Sequence, residues 1–78
     1  MTTMHKLRTI IVDDEPLALD LLRAVLNEIN DVEIVAECCN GKEAVVAATT
    51  LQPELLFLDI QMPGMNGFDV IRSLQNDI

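Results

Sequence analysis

The sequence contains no tryptophan or tyrosine, and its aromatic residues are limited to Phe57 and Phe68. Basic residues are also few, with 5 Lys and Arg against 13 Asp and Glu, so the formal net charge is -8. Proteins that bind single-stranded nucleic acid stack bases on aromatic side chains, and proteins that bind duplex DNA neutralise phosphates with Lys and Arg. These shortages argue against a nucleic-acid-binding surface within the 78 residues.

Long apolar runs and spaced cysteine patterns are missing as well. No apolar stretch reaches the roughly 20 residues that span a bilayer, and the first six residues do not resemble a signal peptide. We therefore predict a cytoplasmic protein with no membrane partner. Cys38 and Cys39 are adjacent, which neither favours a mutual disulfide nor matches a C-x-x-C zinc spacing. We predict that both are reduced packing residues.

Two short apolar runs, residues 9–12 and 55–58, are each followed directly by acidic residues. Runs of this kind without polar alternation favour buried strands of a parallel sheet, whose carboxyl ends meet at one edge. Open α/β sheets bind ligands at that edge. Clustered carboxylates repel one another, and a hard divalent cation relieves the repulsion, so Mg²⁺ is the predicted ligand. The acidic residues that we expect to meet there are Asp13, Asp14, Glu15 and Asp59.

The rest of the pattern predicts alternating strands and helices. Pro16 is tolerated in the first turn of a helix, residues 32–38 alternate like a half-exposed edge strand, and Asn40 with Glu43 has the spacing of a helix cap. A third helix is predicted from about Phe68. The βαβαβα order indicates an α/β fold with right-handed crossovers and helices on both faces. The predicted core-facing residues of the first helix are Ala18, Leu21, Leu22, Val25, Leu26 and Ile29.

The strand ends resemble the receiver domain of two-component response regulators. Residues 10–16 read Ile-Ile-Val-Asp-Asp-Glu-Pro, and residues 58–67 read Leu-Asp-Ile-Gln-Met-Pro-Gly-Met-Asn-Gly. The second stretch is similar to the family's apolar strand, phospho-accepting Asp, Met-Pro and Gly, and the two motifs occur in the family's order. The resemblance implies a flavodoxin-like, doubly wound parallel sheet, truncated to its first three βα units with strand order 2-1-3.

The resemblance also implies where the chain lies in a larger protein. Residues 1–78 are expected to be the N-terminal portion of a receiver domain, with residues 1–6 as a leader. The C-terminal strands and any output domain are expected to lie outside the chain. Glu15-Pro16 hints at the LytTR-type subfamily.

A role for each site residue follows from the resemblance. Asp59 is implied as the phosphoacceptor, taking a phosphoryl group from a sensor histidine kinase or a phosphotransfer protein. Asp14, Asp59 and the main-chain carbonyl of Gln61 are implied as Mg²⁺ ligands, with Asp13 binding through water. The cation would offset the repulsion between the acids and the incoming phosphoryl group. The implied function is to relay the phosphorylation signal to an output domain, without enzymatic turnover. Contact with DNA would be made only by that output domain.

Two alternatives stay open at this point. One is a Mg²⁺-binding interaction module without phosphotransfer. The other is a fragment of an aspartyl-phosphate-forming hydrolase, although such enzymes use a D-x-D motif where this sequence has Asp13-Asp14-Glu15. The family's Ser or Thr, its aromatic residue and its phosphoryl-binding Lys belong to strands that this chain does not contain. With those strands missing, the third strand would become a sheet edge, and we expect the fragment to self-associate.

Overall fold

A computed structural model describes residues 5–75 of the chain. The strands of this part are parallel, and their order is β2-β1-β3. The predicted fold class and strand order are therefore confirmed. The elements in chain order are β1 (Leu7–Val12), α1 (Pro16–Asn27), β2 (Val32–Cys38), α2 (Gly41–Leu51), β3 (Leu55–Leu58) and α3 (Gly67–Gln75).

β1 is the central strand, and its coverage on both faces explains why its sequence does not alternate. Ile10 and Ile11 are 0% exposed and Val12 is 1% exposed. Thr9 is also fully buried, and its hydroxyl donates a 2.9 Å hydrogen bond to the carbonyl oxygen of Leu7. At about 25 cal/mol per Å² of apolar surface removed from water, this strand is a main source of folding free energy.

The helices cover opposite faces of the sheet. The chain moves from β1 outward to β2 and then back past β1 to β3, and right-handed crossovers in opposite directions place α1 and α2 on different faces. α3 packs beside α2, whereas α1 packs on β1 and β2. The main core lies on the α2 and α3 side and consists of Ile10, Val12, Cys38, Ala44, Ala48, Met62 and Val70.

The apolar stripe predicted for α1 is only partly buried. Leu26 is 3% exposed and Leu22 is half-buried. The prediction is wrong for three other positions. α1 packs mainly on β1 and β2, so one side of its stripe faces outward, and the helix ends at Asn27, before Ile29. These surface positions are Leu21, Val25 and Ile29.

The cap predicted for α2 is confirmed with one change of partner. Asn40 Oδ1 accepts a 2.9 Å hydrogen bond from the N–H of Glu43. The carboxylate of Glu43 accepts from the N–H of Cys39 at 2.9 Å, one residue before the cap. The helix ends at Leu51, and the left-handed φ of 48° at the C-cap residue Gln52 turns the chain toward β3.

The two adjacent cysteines are both free, as predicted, but only one of them packs in the core. Cys38 ends β2 and is 4% exposed, whereas Cys39 begins the loop after the strand and is exposed. The packing prediction is therefore wrong for Cys39. Across residues 5–75, every helix is too short or too polar to cross a membrane.

Candidate functional site

The carboxyl ends of β1 and β3 bring two aspartates side by side. Val12 is the register partner of Leu58, so the residues that follow both strands begin at the same level. The N–H of Asp59 donates a 3.0 Å hydrogen bond to the carbonyl oxygen of Val12, and the N–H of Asp13 donates a 3.1 Å bond to the carbonyl oxygen of Cys38. Both aspartates are thus fixed at the ends of the sheet's hydrogen-bond ladder.

Three of the four predicted carboxylates meet at this edge. One oxygen from each of Asp13, Asp14 and Asp59 lies within 4.8 Å of the others, and all three residues are half-buried. Glu15 is outside the cluster and exposed, because it occupies the N-cap position of α1. The expectation that Glu15 joins the site is therefore wrong.

Two of these carboxylates are oriented by the main chain that follows them. The Oδ1 atom of Asp13 accepts a 3.0 Å hydrogen bond from the N–H of Glu15, and the Oδ1 atom of Asp59 accepts a 3.1 Å bond from the N–H of Gln61. Such Asx turns hold one oxygen of each carboxylate. Within residues 5–75, the second oxygen of each accepts no hydrogen bond from the protein, so it remains free for a ligand.

The donor set of this site suits a hard divalent cation. Three carboxylates lie within 4.8 Å of one another, and none of them is paired with a Lys, Arg or His among the described residues. Oxygen ligands and concentrated negative charge are what Mg²⁺ and Ca²⁺ require. Gln61 lies in the β3–α3 loop (residues 59–66), within two residues of Asp59, where a main-chain carbonyl could complete the ligand set.

The β3–α3 loop is anchored at both ends. Met62 is 6% exposed and belongs to the core. Asn66 and Asp69 cap α3 reciprocally, with hydrogen bonds of 3.0 and 3.1 Å between each side chain and the other's N–H. Gly67 packs against the main chain of Asp59 and Ile60, since a Cβ at this position would be 2.9 Å from the carbonyl oxygen of Asp59. A side chain at residue 67 would therefore push directly on the predicted phosphoacceptor.

Sequence reasoning missed two polar pairs outside the cluster of Asp13, Asp14 and Asp59. Arg23 on α1 holds Glu37 on β2 with two hydrogen bonds of 2.6 and 2.7 Å, and these bonds lower the pKa of Glu37. The carboxylate of Glu43 also accepts from the thiol of Cys39 at 3.4 Å, which raises the pKa of that thiol. Sequence spacing does not predict either pair. Arg23 and Glu37 lie on different elements, and Cys39 lies in the loop before the helix that contains Glu43.

A further pair lies at the opposite edge of the sheet. The carboxylate of Glu54 accepts from the N–H of Arg8 at 3.0 Å and contacts Nε2 of His5 at 2.7 Å. These contacts lower the pKa of Glu54, the Arg8 N–H first and His5 second. These contacts link the residue before β3 to β1, and they are separate from the acidic site.

The sheet order and the acidic edge define a flavodoxin-like α/β protein with three clustered carboxylates at the carboxyl ends of its strands. The chain belongs to the response regulator receiver domain family, whose model matches residues 9–78. It is 48% identical over 68 residues to the transcriptional regulatory protein BtsR of Salmonella typhi, a match that covers 87% of this chain and 28% of BtsR. It is 39% identical over 70 residues to protein-glutamate methylesterase/protein-glutamine glutaminase 1 of Methanosarcina acetivorans, covering 90% of this chain and 20% of that protein.

Solved receiver structures have the same fold. The signal receiver domain of the response regulator NarL from Mycobacterium tuberculosis has a TM-score of 0.90 and 29% identity, with 94% of this chain and 59% of that chain covered. The isolated receiver domain of RcsB from Salmonella enterica, determined in the presence of the phosphomimetic BeF3-, has a TM-score of 0.83 and 26% identity, covering 95% and 56%. The chain thus spans little more than half of these receiver structures and about 28% of BtsR.

Proposed function

We propose that Asp59 accepts a phosphoryl group and that the chain acts as the phosphoacceptor part of a two-component response regulator. The observation that carries this proposal is the position of Asp59 at the end of β3. Its N–H is held by Val12 and one of its carboxylate oxygens by Gln61, while Asp13 and Asp14 supply the neighbouring negative charge. A weak carboxylate nucleophile needs such positioning, because catalysis of phosphoryl transfer is mainly orientation and electrostatics.

Mg²⁺ is the proposed cofactor. Asp14, Asp59 and the main-chain carbonyl of Gln61 would bind it directly, and Asp13 would bind it through water. When bound, the cation offsets the repulsion between the carboxylates and the phosphoryl oxygens. The chain's own contribution is to hold the acids in place, through the strand ladder for Asp13 and Asp59 and through the Asx turns for one oxygen of each.

The proposed partners follow from the family. The phosphodonor is a sensor histidine kinase or a phosphotransfer protein, and the signal passes to an output domain outside this chain. One relative is named as a transcriptional regulator, which supports an output domain that binds DNA. Another is named as a methylesterase and glutaminase, so receiver modules also occur in enzymes. We propose relay without turnover for these residues, in a cytoplasmic protein.

The exposed edge of the sheet bears on how the 78-residue chain behaves alone. β3 is four residues long, all half-buried, and it pairs with β1 on one side only among the described residues. An unpaired apolar edge strand presents free N–H and C=O groups that can pair with a strand of another chain. We propose that residues 1–78 are the N-terminal portion of the receiver and that later strands of the full-length protein extend the sheet beyond β3. We also propose that the isolated chain self-associates. Sedimentation over a concentration series would contradict self-association if the mass stayed monomeric throughout.

The test of the phosphoacceptor is intact mass of the full-length protein after incubation with a small-molecule phosphodonor and Mg²⁺. We expect one phosphoryl adduct in the wild type and none in Asp59→Asn. Asp31→Asn is the matched control, because Asp31 lies at the opposite end of β1, where its carbonyl oxygen accepts from the N–H of Leu7. An adduct that survives in Asp59→Asn would overturn the assignment.

Two further assays on the full-length protein, phosphate release and Mg²⁺ calorimetry, separate the alternatives. A hydrolase fragment would release phosphate catalytically from phosphate monoesters, in excess over protein. A Mg²⁺-binding interaction module would bind the cation, as measured by calorimetry, but the full-length protein would gain no adduct. Running the 78-residue chain in parallel shows whether the later strands, with the family's Ser or Thr and Lys, are needed for phosphoryl uptake.

A further inference from the structure

The segment from the end of β2 to the start of α2, residues 38–41, contacts the acidic site at one point and the β3–α3 loop at another, and it supplies no carboxylate to the site. On one side, the carbonyl oxygen of Cys38 accepts the hydrogen bond from the N–H of Asp13. On the other side, Gly41 packs against Met65 in the β3–α3 loop. The second contact is the less expected one, because residues 41 and 65 belong to different βα units.

Gly41 is a glycine because of space and not because of backbone conformation. Among the described residues, the positive φ angles are those of Gln52 and Gly64, so Gly41 has a φ that any residue adopts. A Cβ at Gly41 would lie 2.5 Å from the carbonyl oxygen of Met65 and 2.7 Å from its Cβ. The first of these is a main-chain atom, so a rotamer change cannot relieve the collision and the loop itself would have to move.

A displacement at Met65 reaches the phosphoacceptor over a short path. Gly67 follows Met65 by two residues, and its N–H donates a 3.0 Å hydrogen bond to the carbonyl oxygen of Ile60. Any Cβ at Gly67 would be 2.9 Å from the carbonyl oxygen of Asp59, which shows how closely the two segments pack. The buried Met62 and the reciprocal cap between Asn66 and Asp69 anchor the loop, so it cannot easily accommodate the displacement locally.

The α2 end of this contact is equally fixed. Asn40 caps the helix through the N–H of Glu43, and the Glu43 carboxylate accepts from the N–H of Cys39. Gly41 is buried in the first turn of α2, between this cap and the loop. Because neither side can yield locally, a side chain at Gly41 would strain the main chain that joins the β3–α3 loop to Asp59.

We infer that Gly41 is a positioning residue for the acidic site: its missing side chain allows the loop to seat on α2 and so sets the main chain of Asp59 and Gln61. Its consequence for cation binding rests on the proposed function, whereas its consequence for loop position does not. Groups that orient metal ligands without touching the metal typically change affinity by about 10- to 100-fold when altered. We expect Gly41→Ala to fall at the lower end of that range.

The first measurement is made on the full-length protein without metal, by amide NMR. Gly41→Ala should shift the N–H resonances of Asp59 and Gln61, because their hydrogen bonds to Val12 and to the Asp59 carboxylate change geometry. Ala48→Gly is the matched control. Ala48 is 7% exposed and lies seven residues further along the same helix, so the variant weakens α2 without adding a side chain next to Met65. Unchanged Asp59 and Gln61 resonances in Gly41→Ala would overturn the inference.

The second measurement is Mg²⁺ titration of the same variants by calorimetry. We expect Gly41→Ala to bind about tenfold more weakly than the wild type and Ala48→Gly to bind nearly as tightly as the wild type. Equal losses in the two variants would reduce Gly41 to a structural residue and overturn the inference. A wild type that binds no Mg²⁺ would contradict the proposed cofactor, and the NMR comparison would then decide the loop-positioning part separately.

A third variant covers the case in which Gly41→Ala does not fold. Met65→Ala removes the side chain that packs on Gly41 and leaves the glycine in place, so the loop loses its seat without a collision. The expected result is a weaker Mg²⁺ affinity in the same direction and a smaller shift of the Gln61 amide. Wild-type affinity and wild-type shifts in Met65→Ala would show that the contact does not position the site.

Discussion

The N–H of Asp13 donates a 3.1 Å hydrogen bond to the carbonyl oxygen of Cys38, the last residue of the edge strand β2. On the other side of β1, the N–H of Asp59 is held by the carbonyl oxygen of Val12. The acidic site is therefore built into the sheet ladder across three strands. Its geometry depends on sheet integrity, on the charge of the acids and on the packing below them.

Asp14→Asn should stabilise the protein in the absence of divalent cations. The substitution removes one of three negative charges that lie within 4.8 Å, and repulsion at such distances near a surface is worth about 1 kcal/mol or somewhat more. The same variant should lose the stabilisation that Mg²⁺ gives to the wild type. Denaturant unfolding followed by circular dichroism, with Mg²⁺ or with a chelator, measures both effects. A wild type indifferent to Mg²⁺ would contradict the cation site.

Val70→Ala and Val46→Ala form a matched pair that tests the core. Val70 is 0% exposed on α3, so its truncation should cost about 1.5 to 2.5 kcal/mol through lost burial and a small cavity. Val46 is 66% exposed on α2, and alanine is the better helix former, so that variant should be neutral or slightly stabilising. Circular dichroism is the suitable probe for unfolding because the chain has no tryptophan. Similar losses in both variants would place Val70 outside the core.

Acid should weaken the link between α1 and β2. Arg23 lowers the pKa of Glu37, so the charged carboxylate is favoured in the folded state. The stability that it contributes is fully present above the ordinary carboxyl pKa of 4.5 and is lost as the pH falls through the lower folded pKa. The difference in unfolding free energy between wild type and Glu37→Gln should therefore shrink below that pH. Glu33→Gln, at an exposed position of the same strand, should show no comparable trend.

Cys39 should react slowly for an exposed thiol. The hydrogen bond to the Glu43 carboxylate raises the pKa of Cys39, and the thiolate is the reactive form. Glu43→Gln should speed alkylation of Cys39 at neutral pH severalfold, as followed by peptide mass spectrometry. Cys38 is the internal control, since it is 4% exposed and should be labelled only after denaturation. A rate unchanged by Glu43→Gln would show that the carboxylate does not control the thiol.

The sequence alone determined which segments form strands and helices and which acids follow the strands. Periodicity and capping residues act locally, so α2 starts after Asn40 and β3 covers residues 55–58 as predicted. Parallel strands present their carboxyl ends at one edge, and this rule was enough to predict that Asp13, Asp14 and Asp59 lie close together. The family motifs supplied the strand order and the roles that remain to be tested.

Only the tertiary structure decided which side chains are covered and which contacts cross between elements. Leu21 and Val25 have helical apolar spacing, but α1 spans two strands and leaves them at the surface. Glu15 adjoins the acidic pair in sequence, but the turn into α1 takes it out of the site. Gly41 has an ordinary backbone conformation, so no local pattern marks it, and its importance comes from a loop 24 residues further along the chain. Local patterns specify hydrogen bonding and periodic faces, whereas burial depends on which distant segment packs against each face.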